Sequence, residues 1–259
     1  MTLVVLGDLM VDVVTRVSGA LARGSDTEAL ITVRGGGSAA NVAAWAAWLG
    51  TPVVFGCRVG DDDRGRAAIA DLRGVDVRAE VDPERPTGTC VVLVEPGGER
   101  TMLPDPGAND GPLPEVEPGD HLHVVGYALL REGPRASALA AIERARAAGV
   151  TVSVDPSSWA LLWPGAIPPV DLLLPNVEEA ALLEGEKVTK LGPDGACWGD
   201  VRVPAEPVEV VDTTGAGDAF AAGFLSARLA GAEPREALEA GCRVAARAVA
   251  QVGARPGYD

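Results

Sequence analysis

Val208-Glu-Val-Val-Asp212-Thr213-Thr214-Gly215-Ala216-Gly217-Asp218-Ala219-Phe220 is the stretch on which the reading of this chain turns. An apolar run of strand type leads into a turn whose Gly-Ala-Gly lets the backbone come close to a ligand. A helix of small residues opens at once. Its first N–H groups have no partner inside the helix and carry the positive end of the dipole, so together they form a site for an anion. Asp218 falls in the first helical turn and admits two readings. It is a carboxylate that stabilises a helix N-terminus by ~0.3–1 kcal/mol, or a general base that takes a proton from a hydroxyl attacking a phosphoryl group. The Gly-x-Gly beside it favours the base.

Outward from this stretch, apolar runs alternate with helix-period segments, the pattern of an α/β chain whose mostly parallel sheet is covered on both faces. Strands are expected at Leu3–Leu6, Val53–Cys57, His121–Val125, Thr151–Asp155, Leu172–Leu174, Val188–Leu191 and Val208–Val211. Helices are expected at Ala39–Leu49, Arg64–Leu72, Pro134–Ala148, from near Asn176, at Ala216–Ala230 and at Pro234–Gln251. Two stretches, 11–33 and 89–103, break the alternation. They hold short β-type pieces, the second pair turning at Pro96-Gly-Gly98, and read as a small β-flap inserted in one domain that spans residues 1–259.

The chain has 259 residues, a net charge of −15, four cysteines and two histidines. A hydrophobic fraction of 47% with 23% charged residues is that of an ordered globular protein. The acidic balance disfavours nucleic acid and anionic membrane as bulk partners, since both require a basic surface. Cys57, Cys90, Cys197 and Cys242 lie far apart without a CxxC, which suggests reduced thiols and a cytoplasmic location. The opening Met1–Asp8 lacks a basic start and reads as a buried strand, not a signal peptide. Of 22 basic residues only Lys187 and Lys190 are lysines, and neither follows a glycine, which removes the P-loop and the protein-kinase lysine strand. His121 and His123 read as a hydrogen-bonded strand pair, because a metal site needs three or four ligands. Trp45 and Trp48 read as core or domain-contact aromatics rather than a stacking platform, and Asp61–Asp63 as a solvated loop before a helix, with assistance to substrate closure by Asp61 or Asp63 as the alternative.

Asp212-Thr-Thr-Gly-Ala-Gly-Asp-Ala-Phe220 resembles the second signature of the ribokinase (PfkB) family of carbohydrate and nucleoside kinases. Other segments resemble the family in order: Gly36-Gly37-Ser38-Ala39-Ala40-Asn41, Gly60-Asp-Asp-Asp63-Arg-Gly65, Asn176-Val-Glu-Glu179, and Thr189-Lys190-Leu-Gly192-Pro-Asp-Gly195. The resemblance implies a ribokinase-like three-layer sandwich with the flap as a lid. It makes Asp218 the catalytic base and Gly215, Ala216 and Gly217 the anion hole. Asp12, Gly36, Gly37 and Asn41 become substrate ligands, and Lys190, Gly192 and Gly195 fall on the nucleotide side. Asn176 and Glu179 share a helical face where they can orient water around Mg²⁺, and are equally a capping-box pattern. Asp212 is matched to a monovalent-cation (K⁺) site, or is a turn residue at a strand end.

Three departures shape the expectation of substrate. Only about ten residues separate Glu179 from Lys190, so one wall of the nucleotide side is short. Asp155-Pro-Ser157-Ser-Trp159 lacks the Asn and Arg of acidic-sugar kinases, and Ser38 stands where ribokinases carry a lysine. The expected activity is ATP- and Mg²⁺-dependent phosphorylation of a hydroxymethyl group of a neutral sugar. A nucleoside kinase and a catalytically silent sugar- or nucleotide-binding regulator are the alternatives. The lid is also the surface through which two copies could form a homodimer.

Overall fold

The computed structural model describes residues 1–96 and 99–257; Gly97 and Gly98 of the expected Pro96–Gly98 turn lie outside the described residues. The first half runs Leu3–Leu6 (β1), Met10–Val17 (β2), Ala29–Gly36 (β3), Ser38–Trp48 (α1), Val53–Gly60 (β4), Asp63–Ala70 (α2), Val75–Asp82 (β5), Thr89–Val94 (β6), Arg100–Asp105 (β7) and His121–Val125 (β8). The second runs Tyr127–Leu130 (α3), Glu132–Ala147 (α4), Thr151–Asp155 (β9), Leu172–Leu173 (β10), Val177–Ala180 (α5), Val188–Lys190 (β11), Ala196–Trp198 (β12), Val201–Val203 (β13), Ala216–Leu229 (α6) and Pro234–Val249 (α7).

β1 lies inside a parallel sheet of order β10-β9-β8-β1-β4-β5, with β5 as one edge. Its side chains alternate between two cores: Leu3 and Val5 join α1, α6 and α7, whereas Val4 and Leu6 join α3 and α4. A period of two in one strand therefore makes the three layers. The alanines of α1 keep helix propensity at low volume, so the helix is buried from Ala39 to Ala46 beneath α6. Trp45 is buried there, and its indole N–H meets Ala254 O at 2.8 Å, which ties the carboxy-terminal tail to α1. Trp48 is half-exposed under the guanidinium of Arg247.

A second sheet, β3-β2-β6-β7, forms the flap from the two stretches that lacked helices. β2 pairs antiparallel with β3 and parallel with β6, and β6 pairs antiparallel with β7. Its strands reach beyond the expected bounds, to Met10 and Gly36 at one side and Asp105 at the other. A short antiparallel meander, β11-β12-β13, follows α5.

Val208–Val211 is not a strand. The N–H groups of Val211 and Asp212 bond Val249 O at the end of α7, and Val208, Val210 and Val211 are exposed. The run is apolar because it lines a cavity, not because it enters a ladder. The helix expected near Asn176 is the single turn α5. Of the acidic triplet, Asp62 caps α2 by accepting from Gly65 N at 2.8 Å, and Asp61 and Asp63 pair with Arg66.

Candidate active site

Two cavities meet at the N-terminus of α6. The first, about 660 Å³, lies between the flap and the carboxyl ends of the central strands and includes Asp12, Asn41, Gly215 and Asp218. The second, about 600 Å³, is largely apolar and includes Lys190, Gly192, Gly195, Gly217 and Phe220. Crevices at the carboxyl ends of parallel strands are where such sheets bind ligands.

Gly215 is the N-cap of α6 with a left-handed backbone (φ 74°), and a Cβ there would lie 2.6 Å from Ala254 Cβ. Only glycine meets both demands. Asp218 follows in the first turn but does not cap the helix. Its Oδ1 accepts from Ser38 Oγ at 2.5 Å and its Oδ2 from Asn41 Nδ2 at 2.8 Å. Burial pushes the carboxyl up to about 7, against those two hydrogen bonds; the charge of Asp155 adds to the rise and Lys190 opposes it. A carboxyl near 7 is matched to take a proton at neutral pH.

Gly36 ends β3 and Gly37 is the N-cap of α1. The Asp12 carboxylate fills the space that a Cβ on Gly36 would need, 2.2 Å away. Burial pushes Asp12 up to about 6, opposed by the charge of Arg255. Asp12, Asn41, Gly37 and Asp218 thus line one cavity.

Asn176 and Glu179 form a capping box on α5: Glu179 N donates to Asn176 Oδ1 at 2.8 Å and Asn176 N donates to Glu179 Oε2 at 2.9 Å. Burial raises the Glu179 carboxyl, and the charge of Asp155 adds to it. Among the described residues no three His, Cys, Asp or Glu side chains gather closely enough to hold a metal ion directly. Beyond the Oε2 that accepts from Asn176 N, Glu179 has a second hard oxygen of the kind Mg²⁺ takes, so it fits an ion held through water.

Asp212, offered above for a monovalent cation, takes a guanidinium instead. Arg100 of β7 pairs with its Oδ1 at 2.6 Å and also donates to the hydroxyls of Thr213 and Thr214. Thr214 N and Oγ1 donate to the same oxygen, and Gly253 N donates to Oδ2 at 3.0 Å. Burial alone would raise this carboxyl, but these partners hold it below the usual carboxylate range. Donors on both oxygens leave no fit for a second cation while the flap is docked.

Sequence reasoning missed several residues. Asp8 is buried and accepts from Ser38 N and Ala39 N, at 3.1 and 3.2 Å, so it caps α1 from the end of β1. Its place after the first strand of a parallel sheet was the available signal. Asn109 bonds both backbone groups of Leu9, and Arg255 donates to Gly36 O at 2.9 Å; neither has a sequence pattern of its own. Arg131 lines the first cavity and pairs with Asp110 at 3.2 Å. His121 and His123 are buried on β8 and bond Thr151 and Ser153.

Residues 1–259 match the profile of the pfkB family carbohydrate kinases. The chain is 36% identical over 250 residues to an ATP-dependent ribose-1-phosphate kinase of Halopiger xanaduensis, covering 85% of this chain and 82% of that one. It is 35% identical over 263 residues to a fructokinase of Klebsiella pneumoniae, covering 86% and 82%. The crystal structure of adenosine kinase from Sinorhizobium meliloti superposes with a TM-score of 0.82 at 27% identity, covering 98% of this chain and 95% of that chain.

Proposed function

The chain belongs to the pfkB family of carbohydrate kinases, a phosphotransferase acting on a sugar hydroxyl, and from that premise we propose that it carries the γ-phosphoryl group of ATP to a hydroxymethyl group of a neutral sugar. The observation that carries this reading is the place of α6: its open N-terminus lies between the two cavities, with Asp218 on the first and Gly217 and Lys190 on the second. An acceptor in the first cavity loses its hydroxyl proton to Asp218 as its oxygen bonds the γ-phosphorus. The bond from that phosphorus to the bridging oxygen breaks, and its electrons leave on ADP. The amides of Gly215, Ala216 and Gly217 hold the charge that gathers on the transferred group.

Asp12 and Asn41 hold acceptor hydroxyls, and Cys90, Val92 and Met102 of the flap cover them, which excludes water as a competing acceptor. Lys190, Gly192 and Gly195 face the nucleotide, whose base lies against the apolar wall of Phe220, Ala245 and Val249. Mg²⁺ held through water by Glu179 and Asn176 would neutralise charge on the ATP phosphates. No step runs through a monovalent cation at Asp212. The flap carries exposed Leu30, Ile31, Val33 and Leu103, a surface for a homodimer. We place the chain in the cytoplasm; no helix among the described residues is long and apolar enough to cross a membrane.

Neutrality of the acceptor rests on Asp12, which would repel an anion, and on the pairing of Arg100 with Asp212 and Arg131 with Asp110. A second reading, a phosphorylated acceptor, is favoured by the presence of Arg131 in the same cavity wall. An ATP-consumption panel of fructose, ribose, adenosine, 2-keto-3-deoxygluconate, fructose phosphates and ribose 1-phosphate decides between them. The expected result is the highest kcat/KM for a neutral sugar. A higher value for a phosphate or keto acid gives Arg131 the leading role, a higher value for adenosine makes the chain a nucleoside kinase, and no turnover makes it a silent binder.

A further inference from the structure

Arginine supplies twenty of the 22 cations of this chain, and lysine only two. Lys187 donates to the carbonyls of Ala180 and Leu183 just after α5, where a cation at a helix C-terminus is expected. Lys190 is used differently. Its ammonium makes a 2.6 Å ion pair with Asp155, with side-chain exposures of only 15% and 5%. Asp155 is itself fixed, because its Oδ1 accepts from Ser157 N at 3.1 Å and Ser157 is held in a left-handed conformation (φ 69°) that non-glycine residues rarely adopt. A Cβ built on Gly217 would lie 3.3 Å from Lys190 Nζ. The ammonium therefore stands against the second residue of α6, on the nucleotide side of the anion hole.

We propose that Lys190 is a catalytic residue whose ammonium contacts the transferred phosphoryl group of ATP, and that Asp155 is the positioning residue that holds it there. The proposal rests on the kinase reading above and extends it to a second charge on the reacting group. Stability is a poor reason for this pair. A buried ion pair loses so much hydration that apolar residues of similar volume are often as good or better. Catalysis supplies a reason, because a fixed charge in a water-poor site stabilises the negative oxygens of phosphoryl transfer without reorganising. An ammonium has three donors. One is taken by Asp155, and the others remain for phosphoryl oxygens beside the amides of α6. Lysine is required by shape, since a guanidinium is a broad planar fork and the space between Asp155 and Gly217 admits a compact charge. Asp155 also keeps the ammonium behind when the phosphoryl group leaves for the acceptor.

The test compares Lys190→Met with the double variant Lys190→Met/Asp155→Asn, which removes both charges and leaves no unpaired buried carboxylate. Calorimetry reads the affinities for ADP and for a non-hydrolysable ATP analogue, thermal melting reads the fold, and steady-state assays read kcat. In both variants ADP affinity should stay within about threefold of wild type, while the analogue loses about tenfold relative to ADP. kcat should fall by ~10²–10³. Parallel loss of ADP and analogue affinity, or a folded double variant with kcat near wild type, would overturn the proposal. So would a double variant that fails to fold, because the pair would then be a structural strut. A chain that phosphorylates no acceptor, yet whose preference for the analogue over ADP is lost in both variants, would sink the sugar-kinase reading and with it the catalytic role, while the contact between Lys190 and the terminal phosphate would stand.

Discussion

α1 and α6 both open from a glycine turn onto the same site, and they are finished in opposite ways. At α1 the Asp8 carboxylate accepts from Ser38 N and Ala39 N, so the positive end of the helix already has an anion from the chain itself. At α6 the N-cap is a glycine with no side chain to offer, and Asp218 in the first turn bonds Ser38 and Asn41 across the cavity instead. A filled N-terminus presents side chains, here Ser38 and Asn41, whereas an open one presents backbone amides. The two helix ends divide the labour: α1 holds the base, and α6 holds the charge that is moved.

The strongest way to break this comparison is Asp218→Asn. The variant should lower kcat by the ~10²–10⁴ of a lost general base while ADP still binds. Its melting temperature should rise, because a carboxyl held near 7 is a costly group to bury ionised. Turnover near wild type in steady-state assays would show that α1 holds no base.

Next in size is the pH profile. With Asp218 at about 7, kcat/KM should be level above that value and fall about tenfold per pH unit below it as the base is protonated. Ser38→Ala removes a hydrogen bond that favours the ionised form, so the midpoint should move upward. A midpoint that stays put would detach Asp218 from α1.

Asp8→Ala sharpens the contrast by opening α1. Loss of a capping carboxylate should cost ~0.5–2 kcal/mol in denaturant unfolding. Inorganic phosphate should then raise the melting temperature of the variant more than that of wild type. Equal responses would mean that Asp8 is not what keeps anions from α1.

The smallest effect supplies the control for the profile. Burial pulls His121 down to about 4 and His123 to about 3, so the folded chain stays unprotonated where the unfolded chain binds protons. Stability is therefore full above the unfolded value of ~6.5 and declines as pH falls toward these folded values. His123→Leu, which removes a buried nitrogen without a partner, should flatten the decline in melts between pH 4 and 7. An unchanged slope would assign acid sensitivity elsewhere.

Much of this site was legible because its parts are contiguous. Gly215–Asp218 and Gly36–Asn41 each carry their own turn and helix start, and local chemistry suffices to read them. β1 and α6 were equally plain from apolar run and small-residue helix. Residues that work only through the topology were not legible. Asp8, Asn109 and Arg255 reach the site from loops and the carboxy-terminal tail, and sequence spacing does not tell which loops meet. β5 was missed because four of its eight residues are charged, and that composition resembles a loop. Val208–Val211 misled for the converse reason, since a cavity wall and a strand have the same apolar signature.

That charged β5 has a consequence for the molecule in concentrated solution. An edge strand offers unpaired backbone groups that a neighbouring chain can extend, which is how sheets grow from one molecule to the next. On Val75-Asp76-Val-Arg78-Ala-Glu80-Val-Asp82 every second position carries a charge, and Asp76, Arg78 and Glu80 are exposed. A second β5 laid alongside in parallel register would set Asp76 beside Asp76, Arg78 beside Arg78 and Glu80 beside Glu80, each an opposition of like charges. With a net charge of −15 behind it, this edge resists aggregation by parallel, in-register strand addition.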